Sequence, residues 1–80
     1  MSESPTPSMT LDLKGLLCPM PVVKIAGAIK KVEIGQIVGA TATDPGVMAD
    51  IPAWARSSGQ ELVSIDKKDK EIVFVVKKVK

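Results

Sequence analysis

Glu71-Ile72-Val73-Phe74-Val75-Val76-Lys77-Lys78-Val79 closes the chain with a strand that is apolar on both faces. Ile72, Phe74 and Val76 fall on one side of the pleat; Val73, Val75 and Val79 fall on the other. A strand of that kind is either central in a sheet or covered by a partner. Working backwards, Gln60 to Asp66 alternates well enough for a second strand. The polar stretch Lys67-Lys68-Asp69-Lys70 joins the two as a hairpin. Before it, Val47, Met48, Ile51, Trp54 and Ala55 recur at helical spacing and Gly59 supplies a helix stop. Pro52 lacks an N–H and clashes with the carbonyl four residues back. This predicts a short turn, followed by a main helix with Asp50 as N-cap and Pro52 in its first turn. Asp44-Pro45-Gly46 reads as a turn with Asp44 as a ready cap.

The first half repeats the theme. Met9-Thr10-Leu11-Asp12-Leu13 alternates as a half-buried strand, and Gln36 to Thr43 is a second strand of small residues. Between them, Val22, Ile25, Ile29 and Val32 mark one face of an amphipathic helix ending near Gly35, with Lys24, Gly27, Ala28 and Lys31 on the other. Gly27 either weakens this helix or admits a close neighbour. The order strand, helix, strand, helix, strand, strand is an α+β class. It predicts a two-layer sandwich with two helices on one face of a four-stranded mixed sheet. Met1 to Ser8 is Ser/Pro-rich and expected to be a disordered tail, leaving residues 9–80 as one domain.

Composition removes several function classes. Cys18 is the only cysteine and there is no histidine. An intrachain disulfide, a Cys-x-x-Cys redox pair, a multi-cysteine zinc site and a Cys-His protease dyad all fall away. No metal or organic cofactor is implied. No stretch is long or apolar enough to span a membrane and the N-terminus has no signal-peptide core, so a reducing cytoplasmic setting is expected. The net charge of +2 and the two aromatics, Trp54 and Phe74, argue against a nucleic-acid module. The lysines near the C-terminus read as a solvated rim, and Trp54 as a core or rim side chain.

The chemistry concentrates in Gly15-Leu16-Leu17-Cys18-Pro19-Met20-Pro21. Gly15 permits a turn, and two prolines stiffen the approach to the first helix. Two helix registers fit. In one, Cys18 is the N-cap, Pro19 follows it, and Met20 supplies the main backbone donor toward the sulfur. In the other, Pro21 opens the helix and Cys18 lies just outside it. Either way the thiol meets the positive end of the helix dipole. That end contributes at best about 2 kcal/mol, roughly thirtyfold in favour of the thiolate. Lys14 helps and Asp12 opposes. The loop holds no His, Glu or Tyr for acid–base work, so the site can hold or hand over a sulfur better than run a full cycle alone. The bland alternative is a free cysteine buried as a small hydrophobe. Neither proline is expected in the core.

Gly15 to Pro21 resembles the Cys-Pro-x-Pro signature of the TusA/SirA-like sulfur carriers. The resemblance continues in Thr43-Asp44-Pro45-Gly46, in Asp50-Ile51-Pro52-Ala53-Trp54-Ala55 and in Gly59. It implies a two-layer fold with the last strand central. It also implies a persulfide on Cys18, received from a donor protein such as a cysteine desulfurase, or from a thiosulfate or polysulfide system, and passed to an acceptor protein by transient docking of a monomer. Such a protein is a sulfurtransferase-type carrier rather than a stand-alone enzyme. Some members have a second cysteine in the second helix, where Ala55 stands here. Met20 stands where better-known carriers can have an acidic residue, which bears on partner choice. The rival readings are a thiol-based redox regulator and a nucleic-acid-binding module.

Overall fold

The computed structural model describes residues 7–17 and 19–80, and it forms the two-layer sandwich. The elements are β1 (Met9–Leu13), α1 (Met20–Ile29), β2 (Ile37–Ala42), α2 (Val47–Ser58), β3 (Glu61–Lys68) and β4 (Glu71–Lys77). The sheet order is β1-β2-β4-β3. β1 runs parallel to β2, and β4 is antiparallel to both β2 and β3. The doubly apolar strand is therefore central. Its inner residues Ile72, Phe74 and Val76 are buried, and Val73 and Val75 lie on the opposite face.

Register explains the core. Leu11 pairs with Ala40 and Ala40 with Phe74, while Val38 pairs with Val76. Small residues on β2 leave room for the large ones on β4 and on the helices. Ile25 of α1 and Ile51 of α2 are fully buried in the same cluster as Phe74. Trp54 is half-buried and packs against it from the side. On the outer face, Pro7 covers Gly39: a Cβ at that glycine would meet the Pro7 ring at 3.2 Å. Ser8 donates its N–H to Ile37 O at 2.8 Å, which ties the start of the described chain to β2. Of the expected tail, Met1 to Thr6 lies outside the described residues.

Several local expectations are corrected. α2 is one continuous helix from Val47, with Gly46 as N-cap; Asp50 is in its first turn and does not cap it. Pro52 sits inside the helix, where burial of Val47, Ile51 and Ala55 outweighs the lost backbone bond. α1 stops at Ile29 instead of near Gly35. Lys31 donates to Ala28 O at 2.9 Å, a tighter closing turn that still leaves Val32 buried. Ala28, expected on the polar side, is buried against the sheet. Among the described residues no atom comes near the open side of Gly27, so close approach does not explain it. β3 extends through Lys68, and the hairpin turn is only Asp69-Lys70, with Asp69 at φ 60°. Gly59 does stop α2: it sits at φ 79°, and Ala55 O accepts from the N–H groups of both Gly59 and Gln60.

Candidate functional site

Among the described residues, the loop between β1 and α1 is held by short-range bonds and by a long-range anchor. β1 ends at Leu13, whose carbonyl accepts the Leu16 N–H at 3.2 Å. Lys14 donates its N–H to Asp12 Oδ1 at 3.1 Å, which occupies the one carboxylate on this strand. Gly15 adopts φ 83°, a left-handed conformation that a side chain resists. Its N–H donates to Thr43 Oγ1 at 2.9 Å, fixing the loop to the end of β2.

Downstream, Met20 donates its N–H to Leu17 O at 2.9 Å, and Val23 donates to Pro19 O at 3.1 Å. These bonds set the register. Pro19 is the N-cap, Met20 the first helical residue and Pro21 the second. The sequence-based registers are each off by one position: the N-cap is Pro19 where one put residue 18, and Pro21 is the second helical residue where the other put it first. The Met20 N–H, considered above as a donor for sulfur, is already committed to Leu17. The first turn of α1 carries no acidic residue to offset the positive helix end.

Cys18 itself lies outside the described residues. Its two neighbours are exposed, Leu17 at 72% and Pro19 likewise. Met20 and Val23 are also exposed on the following turn, so the loop and helix start present an apolar surface. Pro21 is the exception and corrects an expectation: it is fully buried, so its ring packs in the interior as well as shaping the chain.

Asp44 Oδ1 accepts the Gly46 N–H at 3.0 Å, and Asp44 O accepts the Val47 N–H at 3.1 Å. The side chain organises the turn ahead of α2 while Gly46 holds the N-cap position. Thr43, one residue earlier, is the anchor that sequence reasoning assigned no role. It is 28 residues from Gly15 in the chain, and no local pattern signals that bond. Asp50 lies in the first turn of α2.

The profile of the family described as sulfurtransferase TusA matches residues 9–78. A protein of Aquifex aeolicus, named a candidate sulfur carrier protein, is 44% identical over 69 residues, covering 86% of this chain and 35% of that one. The chain thus spans about a third of that relative's length. The sulfur carrier protein TusA of Allochromatium vinosum is 34% identical, with 85% of this chain and 90% of that protein covered. The crystal structure of a SirA-like protein from Desulfitobacterium hafniense superposes with a TM-score of 0.78 at 22% identity, covering 90% of this chain and 99% of that one; it shares the fold.

Proposed function

The chain belongs to the TusA sulfurtransferase family, and from that premise we propose that Cys18 carries sulfane sulfur as a persulfide between a donor and an acceptor protein. The observation that supports this most is the setting of the sole thiol. In sequence it follows Leu17 and precedes Pro19, both exposed, and comes two residues before α1, whose first turn carries no acid.

The transfer is a thiol–persulfide exchange. The Cys18 thiolate attacks the outer sulfur of a donor persulfide. A new S–S bond forms at Cys18, the donor S–S bond breaks, and the donor leaves as a thiolate. An acceptor thiolate then attacks the outer sulfur of Cys18-S-SH, and Cys18 departs as a thiolate. The two steps are isoenergetic in bond type and have no net redox change, so no cofactor is called for. Proton donors and acceptors come from the docked proteins, because the loop holds no His, Glu or Tyr. The role of Gly15, Pro19, Met20 and Pro21 is to shape the loop; Asp44 shapes the neighbouring turn. A reducing cytoplasmic setting keeps such a carrier active. No helix among the described residues is long and apolar enough to cross a membrane.

The test is intact mass after incubation with a cysteine desulfurase and cysteine, or with polysulfide. The expected result is a gain of one sulfur that dithiothreitol removes and that Cys18→Ser abolishes. A folded protein that takes up no sulfur from any donor, yet forms a sulfenic acid or glutathione adduct, is a redox regulator instead.

A further inference from the structure

α1 buries one face and leaves the other bare. Pro21, Ile25, Ala28 and Ile29 are buried. Met20, Val23, Lys24 and Gly27 are all exposed, and their helical spacing sets them in one stripe along α1. Lys30 and Lys31, also exposed, carry the stripe through the closing turn.

The stripe is divided along its length. Its first end is apolar: Met20 is 41% and Val23 54% exposed, and Leu17 in the preceding loop is 72% exposed. Its far end is cationic. Lys14, Lys24, Lys30 and Lys31 are the only charged residues between Leu13 and Val32, so this stretch carries +4 in a chain whose net charge is +2. The rest of the chain is net acidic, and the nearest acids in sequence, Asp12 and Glu33, lie outside α1. Lys24 stands in mid-helix, away from the C-terminal carbonyls that attract cations, so the helix dipole does not account for it.

Gly27 sits within this stripe. A glycine inside a helix is less stable there than alanine. Its backbone is helical, and among the described residues no atom lies within 4 Å of the place a Cβ would take. Neither a turn nor packing inside the described chain requires it. The missing side chain faces outward and leaves a flat place where another backbone can come close to α1. Beside it, Val23, Lys24, Gly27 and Lys31 form the α1 wall of a cleft of about 360 Å³ next to β1.

Resting on the carrier reading, we propose that this stripe is the docking surface for the sulfur-exchanging partner, and that the occupant is an acidic amphipathic helix of that protein. The helix crosses α1 at Gly27. Its apolar side chains cover Leu17, Met20 and Val23, and its carboxylates meet Lys24, Lys30 and Lys31. The division of the stripe fixes the orientation. The apolar contacts fall at the start of α1, two residues after Cys18 in sequence, and the ion pairs fall at its end.

The test uses the isotopically labelled full chain and a synthetic helical peptide, acetyl-Glu-Gln-Ala-Glu-Glu-Ala-Gln-Leu-Gln-Ala-Leu-Leu-Gln-Ala-Leu-Leu-amide, with its Lys-for-Glu counterpart. The acidic peptide is expected to shift the amide resonances of Val23, Lys24, Gly27 and Lys31. The pair Lys24→Glu and Lys31→Glu weakens binding about tenfold. Gly27→Leu also weakens it about tenfold by blocking close approach, while the thermal melt stays level or rises because leucine is the better helix former. The proposal is overturned if the acidic peptide does not bind, if the lysine peptide binds equally well, or if the shifts fall on β3 instead. Binding to Gly27→Leu as tight as to the wild type also overturns it. So does concentration-dependent self-association that shifts the same amides, which assigns the stripe to a second copy. Polysulfide loading of Cys18, read on the same samples, separates the two claims. Failure to load removes the carrier reading, whereas loading without peptide binding removes only the docking surface.

Discussion

Gly15 and Thr43, 28 residues apart, are joined by one hydrogen bond of 2.9 Å from the Gly15 N–H to the Thr43 hydroxyl. Through it, the loop that follows β1 is held against the end of β2, and the start of α1 inherits that position. The bond is exposed, so its net contribution to stability is small, below about 1 kcal/mol. Its effect falls on placement.

Thr43→Val therefore leaves the melting temperature nearly unchanged and slows sulfur loading of Cys18 roughly tenfold, because reaction rates are steep in geometry. Thr43→Ser keeps the hydroxyl and restores the rate. Time-resolved intact mass with polysulfide as donor checks both. Equal rates for Val and wild type would show that the loop is positioned without this anchor.

The two prolines of the loop separate on structural grounds. Pro21→Ala removes buried ring carbons and loosens the unfolded chain, costing about 2 kcal/mol in denaturant unfolding. Pro19→Ala acts at an exposed position and costs only about 0.4–1 kcal/mol. It slows loading by more than its stability loss suggests. The reverse ordering of stabilities contradicts the burial pattern.

Pro52 is the sixth residue of α2, where it cannot donate to Met48 O. Pro52→Ala supplies that bond and removes the ring clash, so it raises stability by about 1–3 kcal/mol. Chemical denaturation measures the gain. A loss would mean that the half-buried ring packs better than the backbone bond it excludes.

Phe74 is fully buried in the middle of the central strand, opposite Ala40 and Ile65. Phe74→Ala costs about 3–5 kcal/mol, a large part of the stability of a chain this small. Circular dichroism through a thermal melt reads the shift. A change of only a few degrees would place the core elsewhere.

The layered fold was legible because local physics decided it. The doubly apolar run Ile72–Val76 can be satisfied only inside a sheet, and the alternation in β1 and the helical stripes of α1 and α2 each bury one face. The loop was legible as a candidate site from one thiol between two prolines. Capping and register were not. Asp50 looks like an N-cap because Pro52 follows it, yet burying Val47 outweighs the proline's local preference and starts α2 earlier. Pro21 looks like a stiffener, but only the packing of α1 on the sheet shows that it is interior. The Gly15–Thr43 bond and the cleft beside β1 depend on bringing distant segments together. By itself the sequence determined the elements, their order and the sole thiol, since propensity and periodicity act over a few residues. Tertiary structure alone decided the helix start at Met20, the burial of Pro21 and the bond between Gly15 and Thr43, because each rests on contacts across the chain.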